Sequence, residues 1–312
     1  MPDFTFDQPD QPFIDAHHHF WDLQANPYPW LQGEDVKGFR YGDYAALKRN
    51  YLPEDFECDT RGFAPARTVH VEAEWARANP VDETRWLTAL AQRVGRPCAL
   101  VAHAQLDRGD VAEILAAQAA FPMVRGIRQK PVTSAKRESA ARGLRGSMDD
   151  ERWRQGYALL ARHGLSYDLQ APWWNLDQAA ALARDFPGTQ IILNHTGLPS
   201  DRSAAGLKGW RDAMAALAAQ PNVAVKISGL GLPGRAWTAV DNVPVIREAI
   251  AIFGTDRSLF ASNYPVDSLV ASYETILKGF LKAIEIYPPN EQRKLLHDNA
   301  ARIYRLAGMP HP

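Results

Sequence analysis

Short apolar runs alternate along the chain with longer stretches in which apolar residues recur every three or four positions. The runs at 13–20, 67–74, 98–106, 124–129, 165–170, 190–196, 223–229 and 259–264 predict strands. The amphipathic stretches at 83–94, 111–120, 151–163, 177–186, 204–219, 244–253, 268–286 and 290–306 predict helices. Asp149 and Asp177 stand where helix caps belong, and several runs begin just after Gly or Pro. Eight strands, each followed by a helix, predict an α/β fold: a parallel sheet closed into a (β/α)8 TIM barrel. The rival, an open doubly wound sheet, usually carries a Gly-rich phosphate loop after its first strand, whereas this first strand ends in His17-His18-His19. A single barrel spanning 1–312 is therefore expected. The stretch 21–61 breaks the alternation and is rich in Pro, Tyr and Trp, so it reads as a long first loop over the catalytic face, a lid or substrate wall. The stretch 132–147, with Lys136, Arg137, Arg142 and Arg145, reads as a second, basic and mobile loop, although plain solvation explains its charges equally well.

Composition narrows the function. Of 312 residues, 46% are hydrophobic and 23% charged, which supports a large core and excludes disorder and fibrous repeats. Lys and Arg number 35 against 36 Asp and Glu, so the net charge is −1 and neither nucleic-acid nor membrane-surface binding is expected. Two cysteines, Cys58 and Cys98, read as reduced thiols. The acidic start Met1-Pro2-Asp3-Phe4 lacks the basic and apolar regions of a signal peptide, and no apolar run approaches the roughly 20 residues that span a bilayer. A soluble, cytoplasmic protein acting on a small-molecule substrate is expected; assembly into a homo-oligomer is left open.

In such a barrel the chemistry lies where strands end. His17 and His19 share one face of the first strand, a spacing that lets two imidazoles grip one zinc-class ion; packing among aromatics is the alternative. The second strand carries His70, Glu72 and Glu74 on one parity, and an inward carboxylate needs a cation, a proton or a partner. Glu72 is thus a candidate metal ligand, acid/base or hydrogen-bond partner, unless the register turns that face outward, where all three are helix-facing or solvated polar groups. His103 on the third strand is a candidate substrate contact, or a hydrogen-bonded core histidine. Arg128 ends the fourth and suits a carboxylate or carbonyl, with a salt bridge to Glu72 or Asp168 compatible with that role. Trp173 and Trp174 follow the fifth strand as a stacking wall or packing, and Trp173 is taken as a substrate contact. His195 ends the sixth as a third imidazole for a metal set of His17, His19 and His195. Lys226 and Ser228 lie on the seventh. Neither a Gly-x-Ser-x-Gly elbow nor a Cys beside a His supports nucleophilic catalysis.

Four motifs in this order resemble the amidohydrolase superfamily, in its branch related to sugar lactonases and 2-pyrone-4,6-dicarboxylate lactonase. They are Asp15-Ala16-His17-His18-His19-Phe20-Trp21-Asp22, Gly126-Ile127-Arg128, Ile192-Leu193-Asn194-His195-Thr196-Gly197 and Ser262-Asn263-Tyr264-Pro265-Val266-Asp267. The tail His297-Asp298-Asn299-Ala300-Ala301-Arg302-Ile303-Tyr304 is similar to the family's closing helix. The resemblance implies that His17 and His19 form the His-x-His of strand one and His195 the strand-six histidine. It implies lactone hydrolysis, with a divalent ion, zinc first, in some members and none in others. This chain departs from the family on strand eight, where Asn263 stands in place of the usual catalytic Asp. An amide has no titratable carboxylate and cannot be a general base. Three rescues are then open: Asp267 swings in, Glu72 takes the role, or metal-activated water needs no separate base.

The expected reaction is water attack on the carbonyl of a lactone of a small sugar acid or aromatic-degradation intermediate. His17, His19 and His195 bind an ion or polarise the carbonyl, Arg128 holds a polar group, Asn263 positions water, and Glu72 is the preferred base. The alternatives are a non-oxidative decarboxylase of the same superfamily and a catalytically inactive ligand-binding homologue.

Overall fold

The computed structural model describes residues 12–306; the start at Met1-Pro2-Asp3-Phe4 lies outside them. Eight parallel strands follow chain order in one sheet: β1 (Ile14–His18), β2 (Arg67–Val71), β3 (Ala99–His103), β4 (Val124–Arg128), β5 (Ser166–Leu169), β6 (Ile191–Leu193), β7 (Val223–Ile227) and β8 (Ser258–Phe260). The segment after β8 returns to β1. His18 bridges Tyr264, the His19 N–H donates to the Tyr264 carbonyl at 2.8 Å, and the Asn263 N–H donates to His17 at 2.7 Å. This closure makes the sheet the expected (β/α)8 TIM barrel and covers the edges of an otherwise open sheet.

Side-chain alternation sorts the strands between two apolar layers. Val223, Val225 and Ile227 pack outward with Trp210, Ile246 and Phe280 of the helix layer. Ile14, Ala16, Val69, Val71, Val101 and Ala224 fill the interior, stoppered by Ala300, Ile303, Tyr304 and Leu306 of the final helical stretch. A register shift between Asp15 and His18 interrupts the alternation in β1. Ala16 faces the interior, yet His18 packs outward on Phe20 and Phe56, at ring distances of 4.6 and 4.9 Å. The extra residue thus turns His17 and His19 to the barrel mouth while leaving Asp15 in the β1–β8 seam.

The predicted strands mostly overrun their C-terminal ends, because the chain leaves the hydrogen-bonded ladder before it reaches the polar residues of the mouth. The helix expected at 244–253 spans Ala239–Phe253, with Pro244 inside it and the Thr238 hydroxyl capping its start. Asp150 rather than Asp149 caps Glu151–Ala158, accepting from the Arg152 N–H. Asn175 rather than Asp177 precedes Leu176–Asp185. The helix expected at 268–286 is a 3-10 turn (Val266–Leu269) followed by Tyr273–Ile284. The first loop is more ordered than its composition suggests: Trp21 pairs with Tyr51, short helices form at Pro29–Gln32 and Pro53–Asp59, and Trp21, Tyr28, Tyr44 and Phe56 are buried. Among the described residues, no helix is long and apolar enough to cross a membrane.

Candidate active site

The mouth is built by residues just past the ladder, several with left-handed backbone. Glu74, His195, Thr196 and Asn263 have φ of 62°, 55°, 56° and 60°. Each such non-glycine residue costs about 1–3 kcal/mol, so surrounding contacts must hold it. For His195 these include its Nδ1, 3.0 Å from the Ser228 hydroxyl, and the Trp210 indole that donates to the Thr196 carbonyl at 2.8 Å.

Three buried imidazoles meet at the centre. His17 and His19 approach through their Nε2 atoms at 3.3 Å, and the His17 ring lies 4.7 Å from that of His195. A carbonyl only accepts, so His19 carries its proton on Nδ1 and donates it to Val71 at 2.7 Å, leaving Nε2 with a bare lone pair. Burial, reinforced by neighbouring positive groups, holds all three histidines well below the ordinary value, so they are neutral at pH 7. Beneath them Lys226 and Asp168 form a fully buried ion pair at 2.6 Å, and the Tyr304 hydroxyl donates to Asp168 at 2.9 Å.

On the β2 side Glu72 is fully engaged. Its Oε1 accepts from Arg128 Nε at 2.8 Å; its Oε2 accepts from Arg77 at 3.2 Å and from the Glu74 N–H at 2.9 Å. Burial alone would raise its pKa, but Arg128 and Arg77 hold it well below the carboxylate range. This corrects the expectation of Glu72 as general base: both its oxygens are taken by Arg128, Arg77 and the Glu74 N–H, and the cavity is lined by His195 and not by Glu72. His103 is likewise no substrate contact. It lies behind Arg128, its Nδ1 donating to the Arg128 carbonyl at 3.0 Å. His70 faces the aromatic layer, 3.3 Å from the Phe20 carbonyl, rather than sharing an inward face with Glu72.

On the β8 side, Asn263 Nδ2 donates to Asp267 Oδ1 at 2.5 Å, so the amide oxygen remains for a ligand or water. The same Oδ1 accepts from the Tyr41 hydroxyl at 2.9 Å and Arg40 at 3.3 Å. Asp267 therefore does not swing in; it stands behind Asn263 and fixes it. Burial pushes its pKa up against the pull of Arg40.

A cavity of about 850 Å³, open to solvent, joins these parts; His19, Arg128, Gln170, His195, Asn263 and Arg40 line it. The first loop forms the predicted wall through Trp21, Trp30 and Phe39. Arg40 and Tyr41 are the functional residues that a reading confined to strand ends misses; their signal is a cation between two aromatics, Phe39-Arg40-Tyr41, in a loop expected over the mouth. Trp173 is not in this cavity. It packs against Gly209, with the Arg137 guanidinium 5.1 Å above its ring, which corrects its assignment as a substrate contact. The basic loop is pinned by the Val132 N–H donating to Gly146 at 2.9 Å, and Arg142 pairs with Asp149 and Asp177.

The Nε2 atoms of His17 and His19 suit one zinc-class ion: corners of a tetrahedron with Zn–N bonds of about 2.0–2.1 Å lie near their spacing. Among the described residues no group of three His, Cys, Asp or Glu side chains is already arranged to hold a metal ion, and the His195 ring lies 4.7 Å from that of His17.

Comparison with known proteins gives a consistent result. A family model described as amidohydrolase matches residues 14–306. The chain is 43% identical over 293 residues to the uncharacterized protein y4mH of Sinorhizobium fredii, covering 94% of this chain and 98% of that one. It is 30% identical over 306 residues to an L-fucono-1,5-lactonase of Burkholderia multivorans, covering 94% and 96%. A crystal structure of a Burkholderia multivorans amidohydrolase with bound zinc superposes with a TM-score of 0.76 at 27% identity, covering 96% of this chain and all of that one.

Proposed function

The chain belongs to the amidohydrolase family and is a hydrolase of that superfamily, and on this premise we propose that it opens the lactone ring of a small sugar acid. The observation that carries this reading is the convergence of neutral His19 and His195 with Asn263 on one cavity edged by Arg40 and Arg128, with His17 buried directly behind the two imidazoles. The L-fucono-1,5-lactonase relative, aligned over nearly the whole chain, supports the choice of ester.

In this mechanism the lactone carbonyl lies against the histidine centre. Arg128, whose Nε is spent on Glu72, turns Nη1 toward Gln170 and the cavity and balances charge developing on the carbonyl oxygen. Asn263 holds the attacking water through its amide oxygen, and the neutral His195, oriented by Ser228, takes the proton and returns it to the departing ring oxygen. A zinc-class ion held by His17 and His19 would polarise the carbonyl and acidify water. The ring opens to a hydroxy acid, with water as the only co-substrate.

The test is hydrolysis of sugar-acid 1,4- and 1,5-lactones followed by acid release. His17→Ala and His19→Ala are expected to lower kcat/KM by at least about a thousandfold while keeping the circular dichroism of the parent. Wild-type rates in both variants would sink the reading. Metal analysis before and after chelation, with activity measured alongside, determines whether the His pair works with an ion.

A further inference from the structure

A second cavity, of about 780 Å³ and open to solvent, adjoins the first across Arg40, which lines both. Its wall includes Arg202, Thr133, Ser134, Ser200 and Gly229, and no carboxylate residue. The two guanidinium groups are incompletely satisfied. Arg202 Nη2 donates to the Leu230 carbonyl and to Asn242, both at 3.1 Å, but its Nε and Nη1 are buried with no hydrogen-bond partner among the described residues. Arg40 spends Nη2 on Asp267, and its Nη1 is likewise buried and unpartnered. Leaving three buried N–H donor atoms unmet is costly, and an acidic group satisfies them by charge-assisted hydrogen bonds. Gly229 ties this wall to the reaction centre. At φ 63°, a Cβ on it would meet His195 Cβ at 2.7 Å and Arg40 Nη1 at 2.8 Å, so only a bare backbone lets the imidazole and the guanidinium approach from either side.

We propose that this second cavity is an anion subsite, in which Arg202 and Arg40 take a carboxylate or phosphate group carried by the substrate away from its lactone ring. The subsite deepens the lactonase reading, on which its link to a substrate rests: the preferred ester is one that bears a remote acidic group. Thr133 and Ser200 add hydroxyl donors, and Arg40 couples occupancy of the subsite to Asp267 and Asn263.

Calorimetry on the full chain with malonate and with inorganic phosphate tests this without any turnover, so a chain that hydrolyses no lactone still answers the question. Binding of malonate alone assigns a carboxylate, binding of phosphate alone a phosphate, and either supports the subsite. Arg202→Gln is expected to weaken binding roughly tenfold or more, whereas Arg211→Gln, which removes the same charge from the helix layer, leaves it unchanged. Ser200→Asp keeps the Arg202 bonds to Leu230 and Asn242 and is expected to abolish binding, so it decides the matter if Arg202→Gln does not fold. The proposal is overturned if neither anion binds the wild-type chain, if Ser200→Asp binds as wild type, or if Arg128→Gln rather than Arg202→Gln removes binding.

Discussion

Two pairs of carboxylates, all buried except the half-buried Glu74, flank one cavity and titrate in opposite directions. On the β2 side Glu72 and Glu74 are held below their ordinary range, because Arg128 and Arg77 face the first and Lys130 the second strongly enough to overcome burial. On the β8 side Asp15 and Asp267 are pushed up. Asp15 meets only neutral donors: the Ser262 hydroxyl at 2.6 Å, the Ser262 N–H at 2.9 Å, the His17 N–H at 3.2 Å and Tyr273 at 3.3 Å. Asp267 has one cation, the partly exposed Arg40, beside an amide and a phenol. Desolvation opposes ionisation in all four, even in Glu74 with its side chain 30% exposed, so the sign is decided by what stands opposite: guanidinium and ammonium on one side, hydroxyl and amide mostly on the other. The β2 side thereby becomes a rigid electrostatic brace for Arg128, and the β8 side a neutral hydrogen-bonded cradle for Asn263.

The most damaging way to break this contrast is Glu72→Gln, which leaves Arg128 buried without its counter-charge. A stability loss of about 3–5 kcal/mol is expected in urea titration, with a fall in kcat/KM; an unchanged urea midpoint would show that Arg128 does not depend on the pair. Asp15 sharpens the opposite side. Its pKa rises from 3.8 to about 6 in the folded chain, so the native state keeps a proton that the unfolded chain releases. Its contribution is therefore fully present below pH 3.8 and lost as pH rises through about 6, a difference of about 3 kcal/mol. Thermal midpoints at pH 4, 5, 6 and 7 should show that decline in the wild type and lack it in Asp15→Asn. Glu72 and Glu74 carry the reverse slope, with stability present above their ordinary pKa and lost as pH falls.

A smaller effect is expected from Asn263→Asp, which sets a second carboxylate where an amide now donates to Asp267 at 2.5 Å. The two acids would share a proton, and the midpoint of the variant should fall by about 5 °C more than that of the wild type as pH rises past neutral. Parallel profiles would mean that the cradle opens to water. Tyr41→Phe removes one of three donors on Asp267 Oδ1 and should cost about 1 kcal/mol, with a few-fold fall in kcat at constant KM. A change in KM alone would instead make Tyr41 a binding residue.

Much of this arrangement was legible along the chain. Eight apolar runs each followed by a helix dictate the barrel, because a strand buried on both faces and a helix with one apolar stripe close in few ways. The strand-end rule then brings His17, His19, Arg128, His195 and Asn263 to the mouth, where they are found. Glu72, His103 and Trp173 were not decidable in this way. Whether Glu72 is a base or a partner depends on Arg128, 56 residues away, entering its hydrogen-bond range. At β1 parity holds from His17 to His19 but breaks before them, where a register shift between Asp15 and His18 turns His17 inward as well as Ala16. Trp173 belongs to a turn whose direction is set by Gly209 on another helix.

Residue types, their periodicity and their order along the chain thus determined the fold and the inventory of groups at the mouth, since both follow from local burial patterns and side-chain alternation. The tertiary structure alone decided which groups are charged and which are free to act. The first loop brings Arg40 and Tyr41 onto Asp267, across 227 and 226 residues of chain, and Arg128 claims Glu72. Protonation and hydrogen-bond satisfaction depend on the atoms within a few ångströms, and chain closure, not sequence spacing, chooses those atoms.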